Sequence, residues 1–133
     1  MILQNCIYEK WQDRWNEEKT CRQTKQFFKD IEINKSKKIL KLARSQLTRL
    51  VKITTGHNSL AYHAYKIDNT IDPTCRLCEE AIETFYHFAT ECPRLHNLRR
   101  EIFKGEPIDE TWAIGRLLEL SNVPAIDALL TWE

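Results

Sequence analysis

The chain is poor in the residues that break helices: 133 residues hold three glycines and four prolines. That scarcity argues against a turn-rich β-sandwich and leaves long stretches open to helix. No apolar run approaches the roughly 20 residues needed to cross a bilayer. The N-terminal stretch MILQNCIYEKWQDRW reaches charges and tryptophans after a few apolar residues. It does not read as a secretory signal. An intracellular location, nuclear or cytoplasmic, is expected, where clustered cysteines favour metal over disulfides. One further lack is local: residues 34–67 contain no Asp or Glu, although the chain has 19 acidic residues. The same stretch holds Lys35, Lys37, Lys38, Lys41, Arg44, Arg49, Lys52 and Lys66. The net charge of +1 thus conceals a polarised molecule.

What remains is normal for one globular domain, with 42% hydrophobic and 29% charged residues. The predicted fold is mainly α, a small helical domain built around a Cys3His zinc knuckle. Residues 1–34 are read as an N-terminal helix and arm. The helix covers 3–19, with Ile7, Trp11 and Trp15 at four-residue spacing, and 20–34 form an extended arm or short strand. A single amphipathic helix over 36–54 starts from Ser36 as N-cap. It buries Ile39, Leu40, Ala43, Leu47, Leu50 and Val51, with Lys37, Lys41, Arg44 and Lys52 on a neighbouring stripe. Gly56 ends it, and a short helix over 59–67 buries Leu60, Ala64 and Ile67. Residues 70–104 carry the knuckle and a helix ending near Gly105. In 109–133, Asp109 caps a helix bearing Trp112, Leu117 and Leu120. Pro124 then opens a last helix with Ile126, Leu129 and Leu130.

The stretch CRLCEEAIETFYHFATECPRL concentrates the chemistry. Cys75, Cys78, His87 and Cys92 follow the spacing Cys-x2-Cys-x8-His-x4-Cys. Two cysteines two residues apart can aim inward from one tight turn, the usual first half of a tetrahedral zinc site. His87 and Cys92 on one continuous helix would diverge by roughly 140°. They can share a metal only if the helix ends between them. Thr84 is placed to cap a helix over Phe85 to about Glu91, and Pro93 makes Cys92 the N-cap of the next. A cap position also favours thiolate, the form that binds zinc. The competing readings are buried free cysteines with a core histidine, a redox Cys-x2-Cys, or a Cys75–Cys78 disulfide. Zinc satisfies the spacing and context best. Four protein ligands leave no open position, so the predicted Zn²⁺ is structural and not catalytic. Cys6 and Cys21 read as buried small hydrophobes. His57 reads as a residue tying helix ends together, or as a fifth ligand candidate. His63 and His96 are placed at the surface or partly packed.

Two stretches, LTRLVKITTGHNSLAYHAYKI and CRLCEEAIETFYHFATECPRLHNLRREIF, resemble the C-terminal region of non-LTR retrotransposon polyproteins. There the region follows the reverse transcriptase. The shared features are Thr55-Gly56-His57, Cys75 and Cys78, Glu83-Thr84, His87, Glu91-Cys92-Pro93, and Arg99 or Arg100. The resemblance covers most of residues 36–104. It implies a zinc-knuckle-like module that helps a polymerase handle RNA or target DNA. No Tyr-x-Asp-Asp motif and no ribonuclease H carboxylate set accompanies it. An excised fragment, a degenerate copy and a domesticated host gene all fit.

Two functions follow. The first is a nucleic-acid-binding module without catalytic activity, taking RNA or single-stranded DNA. Lys37, Lys41, Arg44 and Lys52 would contact phosphates, and Tyr62 and Tyr65 would stack on bases. The second is a protein-interaction adaptor or regulator, using the last helix with Leu129, Leu130 and Trp132. No small-molecule substrate and no membrane partner is expected.

Overall fold

The computed structural model describes residues 2–104 and 114–131. The expectations for Gly105, Asp109, Trp112 and Trp132 lie outside those residues. Among the described residues the secondary structure is helical, and the only β pairing is an isolated Thr74–Ile82 bridge. In chain order the helices are α1 (Ile2–Glu17), α2 (Arg22–Phe27), α3 (Ile33–Leu40), α4 (Arg44–Thr55) and α5 (Ala61–Ile67). Then come α6 (Phe85–Thr90), a 3-10 turn at Pro93–Leu95, α7 (His96–Phe103), α8 (Ile114–Ser121) and α9 (Pro124–Leu130).

One core joins α2, α4, α6, α7, α8 and α9, with α3 packed on its margin through Ile39. α4 lies against α2, α6 and α8; α7 and α9 also lie against α8. Phe85, Phe88, Leu95 and Ile102 are buried in this core, together with Leu50, Leu117, Leu120 and Ile126. Leu98 and Leu129 pack on its margin. No helix among the described residues is long and apolar enough to cross a membrane.

Three sequence expectations are corrected. Residues 20–34 do not form an arm or strand, because α2 occupies their first half. Phe27, on α2, is only 2% exposed and packs its ring against Phe85 and Tyr86, with centroids 6.1 and 5.8 Å away. The helix expected over 36–54 is two helices. α3 begins at Ile33, so Ser36 sits inside its first turns and donates to the Glu32 carbonyl. It tightens at its end through Lys41 N–H to Lys38 and Leu42 N–H to Ile39. Ala43 is then extended, and α4 starts anew with Gln46 accepting from the Ala43 N–H. The new start rotates the buried face to Leu50, Ile53 and Thr54. Leu40 and Val51 are therefore 77% and 49% exposed. Ala43 is exposed as well, while Ile39 and Leu47 are half-buried. On α5, Leu60 at the cap is buried, but Ile67 is 76% exposed.

Gly56 ends α4 at φ 80°, and the Gln23 amide occupies the space a Cβ would need. A side chain there would strain the backbone and displace the Gln23 amide. α1 stands apart energetically: none of its residues is buried. It is attached through Gln12, which donates to the Lys29 carbonyl and accepts from the Ile31 N–H, and through Trp15 Nε1–H to the Phe28 carbonyl. Cys6 and Cys21 are exposed, contrary to expectation, because α1 and its connection to α2 lie on the surface.

Candidate metal centre

The knuckle is built by main-chain bonds that a short polar stretch can close without a sheet. Cys75 N–H donates to Ala81 at 2.7 Å, Glu79 N–H to Cys75 at 2.9 Å, and Glu83 N–H to Pro73 at 2.8 Å. Glu79 takes a left-handed conformation at φ 60°, which turns the chain sharply after Cys78. The Glu80 N–H then points at Cys78 Sγ, 3.5 Å away.

The second half forms as the spacing required. Thr84 Oγ1 accepts from the His87 N–H at 3.1 Å and caps α6. α6 ends at Thr90, and the His87 carbonyl accepts from both Glu91 and Cys92 N–H at 2.8 and 2.9 Å. This reversal returns Cys92 to the side of the helix that carries His87. Cys92 then caps the Pro93–Leu95 turn.

Cys75, Cys78, His87 and Cys92 each offer one ligand atom, and these atoms all lie within 4.8 Å of one another. Cys78 Sγ is 3.3 Å from His87 Nε2. A tetrahedral ion with metal–sulfur bonds of about 2.3 Å has donor–donor edges of roughly 3.5–3.8 Å, so the four residues fit one such ion. His57 does not join them. The other ring nitrogen, His87 Nδ1, is buried without a hydrogen bond and has Glu91 Oε2 3.7 Å away. A carboxylate at that position can orient a ligating imidazole.

Burial pushes the Cys75 thiol up and the Cys92 thiol up to about 12. Partial burial also acts on Cys78, but the Glu80 amide and the neighbouring thiols outweigh it and hold Cys78 below the ordinary range. Apolar surroundings thus oppose thiolates at Cys75 and Cys92, and a cation among the four donors is what can offset that cost. The buried Arg99 guanidinium adds positive charge beside the cluster. Its Nη1 donates to the carbonyls of Phe88 and Cys92 at 3.1 and 2.6 Å. Of the two arginines offered by the resemblance, Arg99 is the one turned inward; Arg100 is exposed.

Glu83 is the residue whose role sequence reasoning missed. It is 0% exposed. Its carboxylate accepts from Ala61 N–H at 2.9 Å, Arg76 N–H at 2.7 Å and Arg76 Nη2 at 2.6 Å. Its carbonyl accepts from Tyr62 N–H. One buried acid therefore ties the start of α5 to the knuckle. The available signal was the Glu83-Thr84 pair, an acid set between apolar Ile82 and Phe85. Glu83→Ala should destabilise the metal-loaded protein by about 2–3 kcal/mol, since two buried amide donors lose their acceptor. Arg76 is 49% exposed and can rehydrate, so its lost ion pair adds little. Urea unfolding measures this, and a loss below about 1 kcal/mol would contradict the role.

No protein-family model, curated protein or solved structure matches the chain. Lys37 lies on α3, Lys41 in the turn after it, and Arg44 and Lys52 on α4; all four are exposed. The stripe is real only within α4, where Arg44, Thr48 and Lys52 follow at four-residue spacing beside a groove of about 640 Å³. Arg49 has a structural use, pairing with Asp127 at 2.5 Å and donating to the Ser121 carbonyl at 3.3 Å. Tyr62 and Tyr65 stack on each other, with centroids 6.4 Å apart, and Lys66 lies over Tyr62. Next to Lys52, α5 presents His63 and Ile67 instead of the tyrosines. The expected tie between helix ends is made by Asn58, not His57: its Nδ2 donates to the Lys52 carbonyl and its Oδ1 accepts from the Leu60 N–H.

Proposed function

We propose that this is a zinc-stabilised nucleic-acid-binding module, without catalytic activity, of the kind found after retrotransposon reverse transcriptases. Zn²⁺ suits three thiolates and an imidazole in a closed tetrahedral set. Such a site holds the fold and leaves no position for an activated water. The observation that carries the binding reading is the acid-free surface of α3 and α4. Lys37, Lys41, Arg44 and Lys52 are exposed across it, and no ion pair with an acid engages them among the described residues. Mixed signs are usual on exposed helices, so an unpaired basic run favours a polyanion. RNA or single-stranded DNA is the proposed partner.

The test is binding to fluorescein-labelled uridine and thymidine dodecamers across a salt series. Four phosphate contacts on a single strand predict a log–log slope of about −2.8. A flat salt response, or no binding at low salt, rejects the reading.

A protein-interaction adaptor is the second reading, favoured by a different surface from the one expected. α9 turns Ile126 and Leu130 into the core, with Leu129 half-buried on its margin. α1 instead exposes Leu3, Ile7 and Trp11 along one stripe.

A further inference from the structure

A second groove, of about 790 Å³, lies between the end of α4, α5 and the loop leading into the knuckle. It shares Lys52 and Leu130 with the groove along α4, so the two are contiguous. Its composition is two-sided. Cationic or protonatable groups come from three elements: Lys52 on α4, His57 and His63 around the start of α5, and Arg76 on the knuckle. The His57 and His63 rings lie 4.9 Å apart. Arg76 is held in place by Glu83 through Nε and Nη2. On the other side, Ile67 and Ile71 line the groove while exposed to water, Ile71 by 41%. The single acid in the lining, Asp72, accepts from the Thr74 N–H at 2.9 Å.

We infer that this groove is a nucleotide subsite: Lys52, His57, His63 and Arg76 take a phosphate, and Ile67 and Ile71 take the face of an unpaired base. The inference rests on the nucleic-acid reading and gives it a location. Arg44 and Lys52 are separated by roughly 12 Å of helix, more than one nucleotide's worth of phosphate contacts. A strand following α4 would therefore arrive at Lys52 with its next nucleotide at the mouth of the second groove. The tyrosines, on another face of α5, are outside this path.

The histidines give the subsite a signature that the lysine stripe lacks. His63 is held below the ordinary imidazole range because it is partly buried and faces His57 and Lys66. Lys52 adds positive charge from α4, the charge of Arg76 is matched by its partner Glu83, and Asp72 adds a negative one. A phosphate in the groove favours the protonated ring, so bound imidazole titrates higher than unbound imidazole. Affinity is then linked to proton uptake and rises as pH falls from 8 towards 6.

The experiment uses the whole zinc-loaded protein and the same labelled dodecamers at pH 6, 7 and 8. The variants are His57→Gln with His63→Gln, and separately Ile67→Glu on the groove wall. Ile67 is a surface position, so its variant tests the groove without endangering the core. Circular dichroism and zinc content are checked for each. The parent should bind more tightly at pH 6 than at pH 8, and the histidine variant should lose that dependence. Ile67→Glu should weaken binding about tenfold at every pH, the loss of one base contact. If the parent binds but both variants match it in affinity and pH response, the groove assignment is wrong and the nucleic-acid reading stands. If the parent binds neither dodecamer at low salt, both fall.

Discussion

Removing the proposed zinc, by chelation or by Cys78→Ser, should unfold at least residues 70–100. A structural zinc contributes on the order of 10 kcal/mol or more of apparent binding free energy, comparable to a whole domain's stability. The local backbone of this region adds little stability of its own. α6 has six residues, too few to stand alone, and the knuckle is closed by a single bridge pair and a few turns. The loss should spread, because Phe85, Phe88 and Leu95 belong to the core shared with α2, α4 and α8. Far-UV circular dichroism before and after chelation reads the effect, and native mass spectrometry reads the ion. Freshly purified protein without metal, or an unchanged melt after chelation, would reject the site. Cys6→Ser, at an exposed position remote in function from the cluster, should change neither.

The second large effect concerns binding. Changing Lys37, Lys41, Arg44 and Lys52 together to Glu should lower single-strand affinity by several hundredfold at 0.1 M salt, since four contacts of about 0.7 each leave the salt slope. Folding should survive, as none of the four side chains enters the core. Tyr62→Ala with Tyr65→Ala separates stacking from charge. If those rings carried bases, affinity would fall by about 1–3 kcal/mol per base with little change in slope. Their mutual stacking, and their place off the groove, favour a small effect. A folded four-Glu protein that binds as the parent does would make the basic surface an ordinary solvated face.

The parts of this molecule that were legible in the sequence are those decided within a few residues. Thr84 as a cap, Cys92 before Pro93, and Gly56 after a helix each depend on one local bond or one backbone angle. The four candidate ligands were legible for the same reason: their spacing already contained the helix ending that brings them together. What escaped was decided by distant partners. α2 has six residues and no periodicity to read, and Phe27 is fixed by Phe85 and Tyr86, nearly sixty positions away. The break at Lys41–Ala43 contains no helix breaker; Ile39 and Leu42 both pack against the core across it, and tertiary contacts override a strong local preference. Glu83 is buried because the Ala61 amide and Arg76 close around its carboxylate.

The attachment of α1 has a practical consequence for how this protein is watched. Its release breaks three hydrogen bonds, each worth about 1 kcal/mol net, and the contact of Lys25 with the Trp15 ring, while no side chain of α1 itself is buried. Trp11 and Trp15 both sit on that helix, and the other two tryptophans, Trp112 and Trp132, lie outside the described residues. For α1, tryptophan emission therefore follows the lifting of one helix from the surface, a subglobal opening with its own equilibrium. Loss of the proposed zinc should instead be felt in the shared core, where Phe27, Phe85 and Phe88 are buried. A midpoint read at Trp11 and Trp15 alone should therefore differ from one linked to the proposed zinc on the same sample.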